Sequence, residues 1–300
     1  MPSPRATSLA RPSLGGQADP RARTDHPPSP EPLPSPVFDA HTHLDAMAQR
    51  AGVDPDEAYV AEQMREAREA GVVAAITVGD TVASSRWCVE AAGAHPDVYA
   101  AVAVHPTEVD GLGEDGYAEL ERLARQPRCV AVGETGLDYY WDRTAPELQQ
   151  EHFRRHIELA KRVGKPLMIH DRDAHADVLR ILRQEGAPEQ VVFHAFSGDA
   201  AMARECVAAG YVLSFPGVIT FKNAPGLREA AAVVPLEQLL VETDAPFLTP
   251  HPHRGRPNAP RLLPLTVRGL AAAGGHDLAA LCTAVRATGR RVFGLTDTPD

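Results

Sequence analysis

Two histidines one residue apart, His41 and His43, are flanked by Asp39 and Asp45, and four further metal-binding side chains stand singly along the chain: Glu134, His170, His194 and Asp244. On an extended strand the period of two aims His41 and His43 at the same face, so both imidazoles can grip one ion from one side. Imidazole nitrogen suits Zn, Mn, Ni or Fe better than Ca, and a carboxylate in the set lets harder ions such as Mg or Mn share the site. Glu134 follows the apolar run Val130-Ala-Val-Gly133. A carboxylate so placed needs a cationic partner, and two cations facing it would make it a bridge. His170 or His194 alone would read as a core or loop histidine; together they read as ligands of a second ion. Asp244 ends Leu239-Leu-Val-Glu-Thr. It can ligate an ion and accept the proton of an attacking water, the alternative being a helix N-cap before Pro246. Glu242, two residues earlier, reads as a hydrogen-bonding support for a ligand. The chemistry indicated is metal-dependent hydrolysis.

Each of these positions closes an apolar run that reads as a buried strand, so the polar residues sit where strands end and loops begin. The expected strands are Val37–His41, Val72–Val78, Val98–Val104, Cys129–Gly133, Pro166–His170, Gln190–His194, Tyr211–Phe215 and Leu239–Glu242. Helical patterns fill most gaps. The clearest starts at Thr144 as an N-cap, with Pro146 in the first turn and Glu147 three residues on, and stops at Gly164. Repeated βα units of this kind predict an α/β fold, a (β/α)8 TIM barrel with its metal site at the C-terminal ends of the strands. A doubly wound open sheet is the rival, but it binds ligands at one switch crevice and does not draw them from strands one, four, five, six and eight. Further helices, around Leu262–Ala273 and Asp277–Phe293, are expected to pack outside.

The first 35 residues are rich in Pro, Arg, Ser and Gly and lack periodicity, which predicts a disordered tail; residues 36–300 then form a single barrel domain. The net charge of −10 becomes −11 without that tail, which argues against a broad basic surface for duplex nucleic acid. A substrate phosphate held locally by bound cations remains compatible with it. The four cysteines, Cys88, Cys129, Cys206 and Cys282, are widely spaced without a Cys-x-x-Cys and read as reduced thiols. No run is long enough to cross a bilayer and no secretory pattern opens the chain, so the expected location is cytoplasmic, without a membrane partner.

Four stretches resemble the TatD family of metal-dependent deoxyribonucleases, a branch of the amidohydrolase-like barrels: Val37–Asp45, Gly133–Tyr139, Pro166–Ala174 and Leu240–Pro246. The resemblance covers residues 37 to about 260. It implies His41, His43, Glu134, His170, His194 and Asp244 as metal ligands, with Glu134 shared between two ions and Asp244 on the first. It also implies hydrolysis of DNA phosphodiesters from a 3′ end with Mg²⁺ or Mn²⁺; Zn²⁺, Ni²⁺ and Co²⁺ are the alternatives. His105-Pro106 resembles the family's His-Pro at a strand mouth, where the imidazole would bond a phosphate oxygen. Arg172 reads either as a phosphate clamp or as the partner of a local acid such as Asp173. Tyr139, with the aromatics beside it, and Ser197 read as contacts to a terminal nucleotide, or as packing. Arg254 reads as a further substrate contact and belongs to Arg254-Gly-Arg-Pro-Asn258-Ala-Pro260, where the family's acidic or amide residue is Ala259, a departure expected to remove a polar contact from the rim.

The reading is therefore a two-metal 3′–5′ deoxyribonuclease using hydroxide attack, with Asp244 as general base, Glu134 bridging, single-stranded 3′ ends as substrate and a monomeric state. A related barrel hydrolase acting on an amide, ester, lactone or aminoacyl-tRNA uses the same ligands, and a non-catalytic metal-binding protein is a third reading.

Overall fold

A computed structural model describes residues 26–295. Its eight parallel strands run in sequence order round one sheet: β1 (Val37–Thr42), β2 (Val72–Val78), β3 (Val98–Val102), β4 (Cys129–Asp138), β5 (Leu167–Arg172), β6 (Val191–Phe193), β7 (Val212–Phe215) and β8 (Leu239–Val241). The gap between β8 and β1 is closed past the ends of the ladder. His43 donates its N–H to the Ala245 carbonyl at 2.8 Å and Asp244 donates to the His41 carbonyl at 2.9 Å. The Asp39 carboxylate adds a tie by accepting from the Thr243 N–H at 2.9 Å and from the Thr243 hydroxyl. These bonds make a barrel, and they fasten both of its seam strands at the positions expected to bind metal.

Inside the barrel the strands contribute mainly small or slim side chains, among them Ala40, Ala74, Ile76, Ala101, Ala131 and Met168. Helices cover the outside: α1 (Leu44–Ala51), α2 (Glu57–Glu69), α3 (Val82–Ala94), α4 (Glu114–Ala124), α5 (Pro146–Val163), α6 (His175–Glu185), α7 (Ala200–Ala208) and α8 (Pro225–Ala231). They bury a second apolar layer, including Phe153, Ile157 and Leu167, against the outer faces of the strands. After β8 come α9 (Leu263–Gly274) and α10 (Leu278–Phe293), with Asp277 capping α10 by accepting from the Ala280 N–H. Val292, Phe293 and Leu295 pack with Phe38 into the inner layer, so α10 plugs the end of the barrel where β1 begins. The opposite end is left for chemistry.

Three expectations are corrected. Helix α5 has Ala145, not Thr144, as its N-cap and no side-chain cap, while the Thr144 hydroxyl donates to the Thr107 carbonyl at 3.2 Å. Strand β4 continues five residues past Gly133, since Thr135–Asp138 go on pairing with β5 despite their polarity. The segment expected to be disordered lies outside the described residues up to residue 25, but its last ten residues lie on the barrel. Leu33 is buried and donates its N–H to the Ala70 carbonyl, while Arg261 and Arg268 donate to the carbonyls of Pro27 and Pro32. The four cysteines are free and buried, and among the described residues no helix is long and apolar enough to cross a membrane.

Helix α5 also holds the end of β3 in place. His156, fully buried, donates from Nδ1 to the His152 carbonyl at 2.8 Å and accepts the Val104 N–H at Nε2, 3.3 Å away, one residue before His105. Burial pushes its pKa down to about 4 from 6.5. Below pH 6.5 the unfolded chain takes up a proton that the folded chain refuses, so this contribution is present above 6.5 and is lost as the pH falls toward 4. The full loss is about 3 kcal/mol. Urea unfolding between pH 7 and 4 is expected to fall more steeply for the wild type than for His156→Gln, and equal slopes would contradict the assignment.

Candidate metal centre

One extra residue in β1 sets the first part of the site. Asp39 pairs with Ala75 and Thr42 with Thr77, three residues of β1 against two of β2, so the alternation shifts between them. Ala40 consequently lines the barrel interior and His41 also turns inward, its Nδ1 lying 3.1 Å from Met168 Sδ. His43 Nδ1 lies 2.8 Å from the Val78 carbonyl, which can only accept, so the proton sits on Nδ1 and the Nε2 lone pair faces the barrel mouth. The two Nε2 atoms approach to 3.1 Å. Around them Asp244 Oδ1 lies 3.7 and 3.4 Å from His41 and His43, and Glu134 Oε2 lies 3.4 and 3.6 Å from them. Donors sharing one ion at about 2.1 Å stand about 3.0 to 3.4 Å apart in octahedral or tetrahedral arrangements. The donor set fits a divalent cation, and its facing lone pairs and buried carboxylates call for one. Asp244 is no helix cap: it sits in a turn after β8 with φ 52, in the left-handed region.

A second irregularity delivers Glu134. Val132 pairs with Leu167 and Thr135 with Ile169, so Gly133 and Glu134 occupy the place of one residue opposite Met168. A Cβ at position 133 would stand 2.4 Å from Met168 Cβ and 2.7 Å from the Met168 carbonyl, which only glycine avoids. The turned Glu134 carboxylate has one oxygen on each side of the site. Its Oε2 faces His41 and His43, and its Oε1 lies 2.7 Å from His170 Nδ1 and 3.2 Å from His194 Nε2. All six residues expected to bind metal therefore converge, buried, on the C-terminal end of the barrel.

Two carboxylates stand behind the second pair of imidazoles. Asp138 Oδ2 lies 3.0 Å from His170 Nε2, and Glu242 Oε1 lies 2.9 Å from His194 Nδ1, off the direction of a well-formed hydrogen bond, while accepting the Ala195 N–H at 2.7 Å. Burial alone would lower the pKa of both histidines, but the carboxylates reverse it: Asp138 and Glu134 raise His170, and Glu242 and Glu134 raise His194 to about 10. Burial would likewise raise Asp138, yet the His170 hydrogen bond leaves it lowered. Asp138 was not among the expected site residues. The available signal was its spacing, since residues 134, 136 and 138 share one face of an extended strand. Among the described residues three groups of candidate ligands result: His41 with His43 and Asp244, His41 with Glu134 and His194, and His105 with Asp138 and His170, each with its ligand atoms within 4.8 Å of one another.

The expected substrate contacts divide. His105 Nδ1 accepts the Thr107 N–H at 3.2 Å, which places the proton on Nε2, 3.6 Å from Glu134 Oε1 and aimed into the site. Arg172 ends β5 and lies over the Tyr140 ring, 3.8 Å from its centroid. Ser197 is exposed and donates to the Asp171 carbonyl at 3.0 Å, on the loop after β6. Tyr139 is not brought to the site: its hydroxyl donates to Asp177 and accepts from Gln150, which ties β4 to the outer helices. Arg254 lies over the Phe221 ring at 4.6 Å. Ala259 is buried in the core, so the family's acidic or amide side chain is replaced at a packed position and not on an open rim. Its neighbour Asn258 donates to the carbonyls of Thr243 and Phe247, pinning the turn that carries Asp244.

The family described as TatD related DNase matches residues 38–294. A Mycobacterium tuberculosis protein named as an uncharacterized metal-dependent hydrolase TatD is 53% identical over 264 residues, 86% of this chain and 98% of its own length. A protein of Erwinia tasmaniensis named 3′-5′ ssDNA/RNA exonuclease TatD is 33% identical over 77% of this chain and 92% of its own. Among solved structures, the TatD homologue YjjV of Escherichia coli is 27% identical, covers 87% of this chain and 98% of its own, and superposes with a TM-score of 0.80.

Proposed function

The chain belongs to the TatD family of metal-dependent hydrolases, and from that premise we propose that it is a deoxyribonuclease removing nucleotides from the 3′ ends of single-stranded DNA. The observation that carries the reading is the split Glu134 carboxylate, one oxygen toward His41 and His43 and the other toward His170 and His194. Such a centre suits a diester whose anionic phosphate must be flanked by positive charge on both sides. The Erwinia relative's name supports the choice of single-stranded nucleic acid and of 3′–5′ polarity.

His41, His43 and Asp244 would hold one divalent ion and His170 and His194 a second, with Glu134 between them. Ions bound there would neutralise charge on the phosphoryl group and would make water acidic enough to ionise near neutral pH. Mg²⁺ or Mn²⁺ suits the carboxylates, and Zn²⁺, Ni²⁺ or Co²⁺ suits the imidazoles. The protein's own groups do the remainder. Asp244 accepts the proton of the attacking water, and its left-handed turn holds Oδ1 3.4 Å from His43 Nε2. His105 donates from Nε2 to a phosphate oxygen. Arg172, at the mouth of β5, steadies a neighbouring phosphate while stacked on Tyr140.

End-labelled single-stranded and duplex DNA, incubated with Mg²⁺, Mn²⁺, Zn²⁺ or EDTA, tests the proposal. Stepwise shortening of the single strand from its 3′ end, with a divalent ion required, is expected. Intact DNA under every condition, alongside turnover of an ester, lactone or aminoacyl-tRNA, would move the substrate to that class.

A further inference from the structure

A cleft of about 770 Å³ opens beside the centre, beginning at His43 and His105. Its volume lies within the range of small-molecule sites, about 300–1,000 Å³. Three flat side chains wall it: Trp87 from α3, Trp141 from the loop after β4 and Phe247 from the turn after β8. The Phe247 ring stands 6.1 Å from the His43 ring, so the aromatic wall starts at a proposed metal ligand. The Trp87 indole is fixed by donating to the Pro55 carbonyl at 3.2 Å, and Trp141 lies under the Arg143 guanidinium at 5.2 Å. The sequence contains two tryptophans, and both line this one cleft.

The charge of the lining has the sign opposite to that of a phosphate-binding groove. Asp45, Asp80 and Glu108 face it, and the one arginine among the described residues that line it, Arg143, lies 3.6 Å from Glu108. Asp80 is held in place by accepting from the Ser84 hydroxyl at 2.7 Å. Aromatic faces accept a nucleobase regardless of its identity. Carboxylates accept hydrogen bonds from hydroxyl and amino groups and repel a second phosphate.

We propose that this cleft holds the terminal nucleoside of the strand, its base on the tryptophans and its free 3′ hydroxyl on the carboxylates, and that it rejects an end bearing a 3′ phosphate. The inference rests on the nuclease reading and specifies its substrate. With the terminal nucleoside in the cleft, its 5′ phosphate reaches the centre. Water's oxygen joins phosphorus, the bond from phosphorus to the 3′ oxygen of the penultimate nucleotide breaks, and that oxygen takes up a proton. The product is a nucleoside 5′-monophosphate, and the shortened strand again ends in a 3′ hydroxyl.

The tryptophans supply a readout independent of turnover. In the Mg²⁺-loaded protein, thymidine 5′-monophosphate is expected to quench their fluorescence at concentrations about 100-fold below those needed for thymidine 3′,5′-bisphosphate. The gap should narrow to about 10-fold or less in Asp80→Asn/Glu108→Gln, two isosteric changes outside the buried core. Oligonucleotides ending in a 3′ hydroxyl should be digested faster than those ending in a 3′ phosphate by a similar factor. Equal quenching by the two nucleotides, or equal digestion of the two ends, would overturn the proposal. Discrimination between the nucleotides without digestion of either oligonucleotide would uphold the cleft's preference and remove the nuclease reading instead.

Discussion

Glu134→Gln is expected to lower turnover at least about 10³-fold with an unchanged circular dichroism spectrum. Glutamine keeps the shape of the side chain and one carbonyl oxygen, but it cannot present negative charge both toward His41 and His43 and toward His170 and His194. The barrel need not notice, because His170 retains Asp138 and His194 retains Glu242 as neighbours. A binding readout separates lost chemistry from lost folding. Added Mn²⁺ should raise the melting temperature of the wild type, as any ligand of the folded state does, and should raise that of the variant much less. Asp244→Asn is expected to reduce turnover by a comparable factor. The double variant should lose little more than either alone, since groups that act as one unit do not add. Metal-dependent turnover surviving in both single variants would sink the assignment of the centre.

How much of this centre could be read from the chain depended on whether a signal was carried by side-chain pattern or by backbone register. His41 and His43 were legible because a period of two on a strand leaves little choice of direction, and His170, His194 and Asp244 because each ends an apolar run. The inward turn of His41 and Glu134 was not legible in the same way. Each rests on an extra residue in β1 or β4, and such an irregularity leaves no mark in composition beyond the glycine at 133. Asp138 was missed for a related reason. The strand was expected to stop where hydrophobicity stopped, whereas backbone pairing to Leu167–Arg172 carries it on through Thr135, Gly136 and Asp138. Thr144 shows that a hydroxyl before a helix need not cap it: α5 begins after Ala145 without a side-chain cap, and the Thr144 hydroxyl donates to the Thr107 carbonyl. In the Pro-rich segment, composition averaged over 35 residues hid the apolar side chains, Leu33 with Pro27, that dock the segment's described end on the barrel.

The supports behind the four imidazoles differ, and that difference is expected to make the two halves of the centre unequal in their hold on metal. His41 backs onto the Met168 thioether at 3.1 Å and His43 onto the Val78 carbonyl at 2.8 Å, both uncharged. His170 and His194 back onto the carboxylates of Asp138 at 3.0 Å and Glu242 at 2.9 Å. A carboxylate behind an imidazole orients the ring and makes its other nitrogen a stronger donor than an uncharged support does. Glu242→Gln should therefore weaken one of the divalent-ion binding events by about 10- to 100-fold and leave the other nearly unchanged. Calorimetric titration of the metal-free protein with Mn²⁺ reads this directly. Glutamine still offers an oxygen to the Ala195 N–H that Glu242 holds at 2.7 Å, so the loop after β6 stays in place and the loss reports charge, not packing. Asp138→Asn should act on the same event as Glu242→Gln, because both stand behind the His170 and His194 side. Met168→Leu should weaken the other event only slightly, a thioether being a poor acceptor to lose. Equal weakening of both events by Glu242→Gln would mean that the two sets of histidines hold their ions as one undivided site.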